Sequence, residues 1–160
     1  MMAVGKSTLG KIVAKKAKLK FIDTDINIES KHSMRISEIF EKKGENFFRI
    51  EEEKEVLESI KKNKCVIAIG GGAFMNKNIR EKILKNSISI WLDADLNTLF
   101  QRVKWNKNRP LVKNKNSNSI IKKLYIKRKN IYKLANYKIN CAEKTKENIV
   151  KQILSIYENQ

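Results

Sequence analysis

The sequence predicts a single α/β domain built on parallel strands. Short apolar runs alternate with longer stretches of helical periodicity, which is the pattern of strand–helix–strand units. The run from Cys65 to Ile69 is apolar throughout, as strands are when both faces of a parallel sheet are covered. A chain of 160 residues with 41% hydrophobic residues has the length and composition of one domain, 1–160, with its own core.

Four strands are expected. Residues 20–23 form a short run that ends in acids, and 65–69 end at three glycines. Residues 87–93 form a second buried run, and 137–140 form a short last strand. Because ligands bind at the carboxyl ends of parallel strands, the residues that follow these runs are candidates for a site.

Helical periodicity predicts helices between and after the strands, at 7–18, 37–43, 45–63, 76–86, 96–105, 119–135 and 145–157. The polar segment 104–118 carries the only proline, Pro110, and is predicted to be a mobile lid within the domain. The acids Asp23 and Asp25 are expected to alternate along an extended segment.

The charge is strongly positive and unevenly distributed. There are 35 Lys and Arg against 17 Asp and Glu, a net charge of +18. Between Leu96 and Ala142 there are 13 basic residues and no acidic one, so most of the excess lies in that stretch. Such an excess suggests a polyanionic partner, but aromatic residues are not interleaved with the cations except at Trp105 and Tyr125.

Several protein classes are excluded by composition. No run of about 18 apolar residues is present, so we expect no membrane-spanning helix, and no signal peptide opens the chain. Cys65 and Cys141, far apart in the sequence, form neither a disulfide framework nor a zinc site, and His32 is the only histidine. A reduced, cytoplasmic protein is expected.

The segment Gly5-Lys6-Ser7-Thr8 opens the first predicted helix and matches the second half of a P-loop, GxxxxGK[ST]. In such a loop the glycine lets the backbone wrap a phosphate, the lysine bridges the β- and γ-phosphates, and the hydroxyl binds Mg²⁺. By spacing, the first P-loop glycine would fall one position before Met1. An ordinary basic helix start is therefore the alternative interpretation of this segment alone.

This segment belongs to the first of several motifs that succeed one another along the chain. They are Met2-Ala-Val-Gly-Lys-Ser7, Phe21-Ile-Asp-Thr-Asp25 with Ile28-Glu29, Glu38-Ile-Phe-Glu41, Gly44-Glu45, Phe48-Arg49 and Glu52, Val66-Ile-Ala-Ile-Gly-Gly-Gly72, Arg109-Pro-Leu111, and Arg128, Tyr132 and Ala135. Through them nearly the whole chain resembles the shikimate kinase family, small P-loop kinases of aromatic amino-acid biosynthesis.

The resemblance implies a P-loop NTPase fold: a three-layer α/β/α domain with a parallel sheet of order 2-3-1-4-5 and a lid. Ala3 stands where a loop glycine is usual, and Ile69 where a small hydroxyl residue is common. The family's first strand and first P-loop glycine have no counterpart, and the loss of that central strand would leave its two neighbours unpaired. We therefore expect that the chain begins too late and that Met1 is an internal methionine.

For the nucleotide, the resemblance implies that Lys6 holds the β- and γ-phosphates. Ser7 and Asp23 are expected to bind Mg²⁺, Asp23 through water. Arg109 is expected to swing from the lid onto the transferring phosphate, and Arg102 to lie against adenine. The expected ATP contacts are Val4, Gly5, Lys6, Ser7, Thr8, Arg102 and Arg109.

For the substrate, the resemblance implies that Asp25 binds two hydroxyls and accepts the proton of the one that is phosphorylated. Arg49, oriented by Glu52, would grip the substrate carboxylate, and Arg128 would contact the same group. The alternative for Arg49 and Glu52 is a surface ion pair of small effect. The expected substrate contacts are Asp25, Arg49, Glu52, Gly70, Gly71, Gly72 and Arg128, and the expected catalytic residues are Lys6, Asp25 and Arg109.

The resemblance therefore implies ATP- and Mg²⁺-dependent phosphorylation of the 3-hydroxyl of shikimate, giving shikimate 3-phosphate and ADP in the chorismate pathway. ATP and shikimate are the implied partners of a monomer that binds no nucleic acid and no membrane. Three alternatives stay open: a gluconate-type P-loop kinase, a basic nucleic-acid-binding protein, and a fragment that cannot catalyse. The pairing of Arg49 with Arg128 favours a carboxylated ring over gluconate.

Overall fold

The computed structural model describes residues 4–104, 117–142 and 144–159 of the chain. Helices and short strands alternate in this part, so the predicted α/β class is confirmed. The strands are β1 (Lys20–Asp23), β2 (Cys65–Ala68), β3 (Ile90–Asp93) and β4 (Tyr137–Asn140). The helices are α1 (Lys6–Lys16), α2 (Thr24–His32), α3 (Ile36–Ile60), α4 (Lys77–Asn86), α5 (Leu96–Lys104), α6 (Ser117–Tyr132) and α7 (Lys146–Glu158), with a 3₁₀ turn at Ala73–Met75.

The strands form two separate parallel pairs. In one pair β1 lies beside β2, with Lys20 opposite Cys65 and Asp23 opposite Ala68. In the other, β3 lies beside β4. Within the described residues β2 and β3 are not paired with each other. This arrangement agrees with the implied strand order, in which the family's first strand separates these two pairs.

Helix α1 begins at a glycine whose backbone conformation few other residues adopt. Gly5 is the N-cap, with φ 91° and ψ 20°, in the left-handed region. That conformation is costly for residues with a Cβ, so the glycine of the GKST segment is required by the turn itself. Lys6 and Ser7 follow this turn directly and form the N-terminus of α1, where the helix has a partial positive charge.

Helix α3 is two helices that meet at a kink. The sequence predicted separate helices at 37–43 and 45–63, and the break falls at Gly44, where φ is 82° and ψ is 167°. Because this backbone conformation is almost restricted to glycine, the two halves of α3 change direction at that residue. The second half carries Arg49 and Glu52.

Helix α2 corrects one expectation. Asp25 does not lie on an extended segment but in the first turn of α2, because Asp23 acts as the N-cap and its carboxylate accepts hydrogen bonds from the backbone N–H groups of Asp25 and Ile26. Such a cap typically stabilises a helix by about 1 kcal/mol. The consequence is that Asp23 and Asp25 lie within one turn of each other.

Two apolar clusters hold the fold together. The larger one packs α1 and α4–α7 around the strands, with Val13, Ile79, Leu99 and Ile149 buried. The smaller one joins α2 to α3 through Ile28, Ile39 and Phe48. Among the described residues no helix combines the length and the apolar character that crossing a bilayer requires.

Candidate active site

The phosphate-binding end of the site lies where α1 begins beside the end of β1. Ser7 and Thr8 are exposed in the first turn of α1, directly after the left-handed Gly5. The Ser7 hydroxyl donates a hydrogen bond to Asp23 Oδ2 at 2.5 Å. A helix N-terminus with a lysine and a hydroxyl in its first turn is suited to bind phosphate.

The oxygen atoms of Ser7 and Asp23 fit the ligands that Mg²⁺ prefers. Mg²⁺ is usually bound by one or two carboxylates together with substrate phosphates and waters, not by an all-protein cage. Consistent with this, no group of three or more His, Cys, Asp or Glu side chains in the described residues could hold a metal alone. The hydrogen bond between Ser7 and Asp23 shows that the two oxygen atoms are adjacent, so both could act on one metal ion.

Asp25 lies next to the glycine turn that follows β2. A Cβ placed on Gly70 would lie 2.8 Å from Asp25 Oδ1 and would also collide with Glu52 Oε1. These two carboxylates come from α2 and α3, which are far apart from Gly70 in the sequence. The fold therefore gathers Asp25, Glu52 and Gly70 around one point.

Arg49 is held in a fixed orientation by two carboxylates of its own helix. Its Nη1 donates to Glu52 Oε2 at 2.7 Å, while Nε and Nη2 donate to Glu45 Oε1 at 3.1 and 3.0 Å. Its guanidinium carbon also lies 5.2 Å from the ring centre of Phe48 and 5.9 Å from that of Phe40. Aromatic faces and paired acceptors favour arginine over lysine at such a position.

Glu52 is a buried carboxylate, with 2% of its surface exposed. Burial raises its pKa, while the hydrogen bond from Arg49 opposes that rise, as does the charge of Arg128. The nearby charge of Asp25 adds to the rise. Burial is thus unfavourable for the charge of Glu52, and its hydrogen bond with Arg49 offsets part of that cost, as expected of a residue that orients this arginine.

Two of the three glycines, Gly70 and Gly72, are explained by the charged groups that approach them. Gly70 faces Glu52 and Asp25, and a Cβ on Gly72 would collide with Arg49 Nη1 and lie 2.9 Å from its Cζ. Neither position therefore has room for a side chain while the charged groups keep their places. The turn from Gly70 to Gly72 lets backbone amides and charged side chains share one surface.

Tyr132, the last residue of α6, connects this turn to that helix. It belongs to one of the sequence motifs, but no role was predicted for it. Its hydroxyl donates a hydrogen bond to the carbonyl oxygen of Gly71. Burial raises the pKa of Tyr132, and the neighbouring Arg128 opposes that rise. The charge of Arg128 also lowers the pKa of Glu52, so Arg128 acts on both Tyr132 and Glu52. No local signal predicts the contact between Tyr132 and Gly71.

Two of the expected arginines are not tested by the structure. Arg102 belongs to α5, but its side chain lies outside the described part, as do Arg109 and most of the expected lid, 104–118. Val4, Gly5, Lys6 and Thr8 lie together at the start of α1. The other expected site residues, from Asp23 to Arg128, are brought to the ends of β1 and β2.

A left-handed GKST turn before a helix, in a parallel α/β fold with acids at the end of the adjoining strand, defines a P-loop phosphate-binding protein. A family model described as "Shikimate kinase" matches residues 2–158. The chain is 44% identical to the shikimate kinase of Sulfurihydrogenibium sp. over 154 aligned residues. The aligned part covers 96% of this chain and 92% of the Sulfurihydrogenibium protein. It is 40% identical to the shikimate kinase of Bartonella henselae, over 96% of this chain and 73% of that one. The chain belongs to the shikimate kinase family.

The structural comparison agrees. The fold superposes with a TM-score of 0.92 on the shikimate kinase of Acinetobacter baumannii, solved in complex with shikimate, at 31% identity over 99% of this chain and 89% of that one. The shikimate kinase of Bacteroides thetaiotaomicron gives a TM-score of 0.91 at 30% identity, over 98% of this chain and 94% of that one. The family and the fold that the sequence implied are therefore confirmed.

Proposed function

We propose that this chain is an ATP-dependent kinase that phosphorylates the 3-hydroxyl of shikimate, forming shikimate 3-phosphate and ADP. The observation that carries this proposal is the arrangement around Arg49. A guanidinium fixed by Glu45 and Glu52 lies against Gly72, and an acid, Asp25, lies beside Gly70. A cation for a carboxylate and an acid for hydroxyls thus stand at opposite ends of one glycine turn.

Binding of the acceptor follows from these groups. The guanidinium of Arg49 offers planar donors that match a carboxylate, and Glu52 keeps it from rotating away. Arg128 adds a second positive charge, which acts on Glu52 as well. Because Gly70 and Gly72 carry no side chains, Asp25, Glu52 and Arg49 approach the backbone of this turn closely, which places the acid and the guanidinium beside the half-buried turn that would receive the ring. Glu52 acts through its hydrogen bond with Arg49 and is a positioning residue.

The chemical step needs a nucleophilic hydroxyl and a neutralised phosphate. Asp25 would bind the 3-hydroxyl and accept its proton as the hydroxyl oxygen bonds to the γ-phosphorus of ATP, while the bond from that phosphorus to the bridging oxygen breaks and ADP leaves. Lys6 and the N-terminus of α1 would hold the phosphates of ATP, with Val4, Gly5 and Thr8 around them. Mg²⁺, held by Ser7 and Asp23, would neutralise charge on the phosphates. Arg109 from the lid, 104–118, would stabilise the transferring group, and Arg102 would lie against adenine.

The proposal also includes the setting of the enzyme. We expect one domain, 1–160, acting as a cytoplasmic monomer on ATP and shikimate, with neither nucleic acid nor membrane as a partner. The support is the kinase family to which the chain belongs. Light scattering coupled to gel filtration measures the oligomeric state, and a filter-binding assay with duplex DNA at several salt concentrations measures nucleic-acid binding.

The experiment is an assay of ADP formation with shikimate, gluconate and nucleoside monophosphates tested side by side. We expect turnover that requires shikimate and Mg²⁺, and a product whose phosphate is on the 3-oxygen by NMR. The matched control is Lys6→Met, purified identically, which should lose at least about 100-fold of the activity and so excludes a contaminating kinase. ADP formation that is independent of shikimate, or preference for another acceptor, would overturn the proposal.

A further inference from the structure

The pairing of β1 with β2 ends where two parts of the acceptor site separate. The last pair is Asp23 opposite Ala68. Beyond it, one chain turns into α2, which carries Asp25, and the other leads through Ile69 to Gly70. The two parts nevertheless meet, since a Cβ on Gly70 would lie 2.8 Å from Asp25 Oδ1. The spacing between Asp25 and the glycine turn therefore depends on how the start of α2 is held against the end of β2.

Thr24 makes a side-chain contact across this point of separation. Its hydroxyl donates a buried hydrogen bond to the carbonyl oxygen of Ala68 at 3.3 Å. Thr24 is 0% exposed, and Ala68 is 7% exposed. Because a buried hydroxyl is costly unless it is hydrogen-bonded, this contact favours one position of the first turn of α2 on the sheet.

The side chains of Thr24 and Asp25 leave the same turn in different directions. Successive residues of an α-helix lie about 100° apart around its axis, so burial of Thr24 against β2 turns the next side chain towards Gly70. The N-cap Asp23 holds the backbone of this turn, because it accepts from the N–H groups of Asp25 and Ile26. Asp23 thus fixes the shape of the turn, and Thr24 fixes where the turn lies.

Later residues of α2 are attached to α3. Asn27 Nδ2 donates to Glu55 Oε1 at 2.6 Å, and Ile28 is buried in the smaller apolar cluster. These contacts join α2 to the helix that carries Arg49, so they fix the acid relative to the guanidinium. The contact of Thr24 instead fixes the acid relative to the glycine turn.

We propose that Thr24 is a positioning residue for Asp25. Through its hydrogen bond to β2 it holds that carboxylate at the distance from the glycine turn at which the acceptor hydroxyl binds. Thr24 is fully buried and acts through Asp25, so the inference rests on the role proposed above for that acid. Even a displacement of about 1 Å between reacting groups can lower a rate by about 100-fold.

The first test separates the hydroxyl of Thr24 from its methyl group. Thr24→Val keeps the branched shape but loses the hydroxyl, whereas Thr24→Ser keeps the hydroxyl and loses the methyl group. Because Asp25 accepts the proton while Arg49 holds the carboxylate, kcat for shikimate should fall by about fivefold or more in Thr24→Val, with KM changed by less than about threefold. In Thr24→Ser, kcat should stay within about twofold of the wild type.

A role in packing alone predicts the reverse order, because Thr24→Ser leaves a small cavity. The matched control is Ser59→Ala, which removes another fully buried hydroxyl, one that donates to Glu55 of its own helix. This control should lose stability but keep kcat within about twofold. The inference is wrong if kcat of Thr24→Val stays within about twofold of the wild type, or if Thr24→Ser or Ser59→Ala loses as much activity as Thr24→Val.

The second test uses no acceptor and therefore distinguishes failure of this inference from failure of the proposed function. Hydrogen exchange at the amides of Asp25 and Ile26 should be at least about ten times faster in Thr24→Val than in the wild type, and within about threefold of it in Thr24→Ser. Unchanged exchange in Thr24→Val would refute the inference whichever acceptor the enzyme uses. If the exchange changes as expected but the wild type does not phosphorylate shikimate, the proposed function fails and the positioning of Asp25 by Thr24 stands.

Discussion

Two neighbouring carboxylates of α3 have opposite environments. Glu51 faces α2, where it contacts Lys31 and His32, and it also contacts Lys54 of its own helix, all at 2.9–3.0 Å. Glu52 faces the glycine turn and Arg49. Hydrogen bonds from Lys31 and Lys54 hold the pKa of Glu51 at about 2, whereas burial raises the pKa of Glu52. One face of the helix stabilises the fold, and the other carries a cost in stability that we attribute to function.

Structural and functional carboxylates thus stand side by side within one helix. Two of the partners of Glu51, Lys31 and Lys54, remain more than half exposed, whereas His32 and the Glu51 carboxylate itself are largely buried, so three basic side chains satisfy one buried carboxylate. Glu52 has a buried carboxylate whose partner, Arg49, is directed at a backbone turn with no side chains. A charged residue whose burial costs stability, and whose side chain is nevertheless held in one orientation, is a candidate for a functional role.

The largest effect is expected from Arg49. Arg49→Ala removes the planar donors for the substrate carboxylate, so kcat/KM for shikimate should fall by about 100- to 1000-fold, with a melting temperature within a few degrees of the wild type. Steady-state kinetics and thermal unfolding measure the two quantities. A matched control is Arg80→Ala in α4, whose guanidinium contacts the carbonyls of Phe74 and Met75. If both variants lose activity equally, Arg49 has no special role.

A smaller loss is expected for Glu52→Gln. The amide keeps the shape of the side chain but holds Arg49 less firmly, so the KM for shikimate should rise by about 10- to 100-fold while kcat changes less. The substitution should also change how the melting temperature depends on pH. Because the folded-state pKa of Glu52 is raised above its usual 4.5, the wild type loses stability relative to the variant as the pH rises through that pKa. Melting curves of both proteins between pH 4 and 8 measure this, and a constant difference would contradict it.

Tyr132→Phe should have a still smaller effect. The variant keeps the ring contacts with Phe74 and Trp91 and removes only the hydroxyl that binds the carbonyl of Gly71. We expect the KM for shikimate to rise by about 3- to 10-fold, since the loss of one hydrogen bond costs about 1 kcal/mol. Tyr125→Phe in the same helix, whose hydroxyl instead contacts Asp93, is the control. An unchanged KM in Tyr132→Phe would show that the hydroxyl only fills space.

Glu51→Gln should leave kinetics unchanged and affect only stability. At pH 7 the melting temperature should fall by no more than about 3 °C, because the lysine partners are exposed. The pKa of about 2 lies below the usual 4.5, so this contribution is complete above about pH 4.5 and is lost as the pH falls towards 2. The difference between variant and wild type should therefore shrink on acidification. Loss of activity in Glu51→Gln would contradict the division between the two faces of α3.

Much of the fold follows from local patterns, and the exceptions have physical causes. The apolar runs gave β1 and β4 at the bounds observed, and Gly44 marked the break in α3. Helix α2 was missed because it has few apolar residues, and one of them, Ile26, is exposed. The N-cap Asp23 was the signal that could have found it.

The site was predictable in its residues but not in its contacts. The motifs named Arg49, Glu52 and the glycines, yet only the structure shows that Gly70 and Gly72 are required by the carboxylates and the guanidinium that approach them. The hydrogen bond from Tyr132 to Gly71 spans 61 positions and depends on how α6 packs, for which a single sequence has no local signal.

The most direct test of the account compares shikimate with its methyl ester as acceptors, in the wild type and in Arg49→Lys. If Arg49 reads the carboxylate with a planar pair of donors, the wild type should prefer the acid by at least about 100-fold in kcat/KM, and the preference should fall to about 10-fold or less in the variant. An undiminished preference in Arg49→Lys, at equal stability, would contradict the assignment of the face of α3 that carries Arg49 and Glu52 as the site that recognises the substrate.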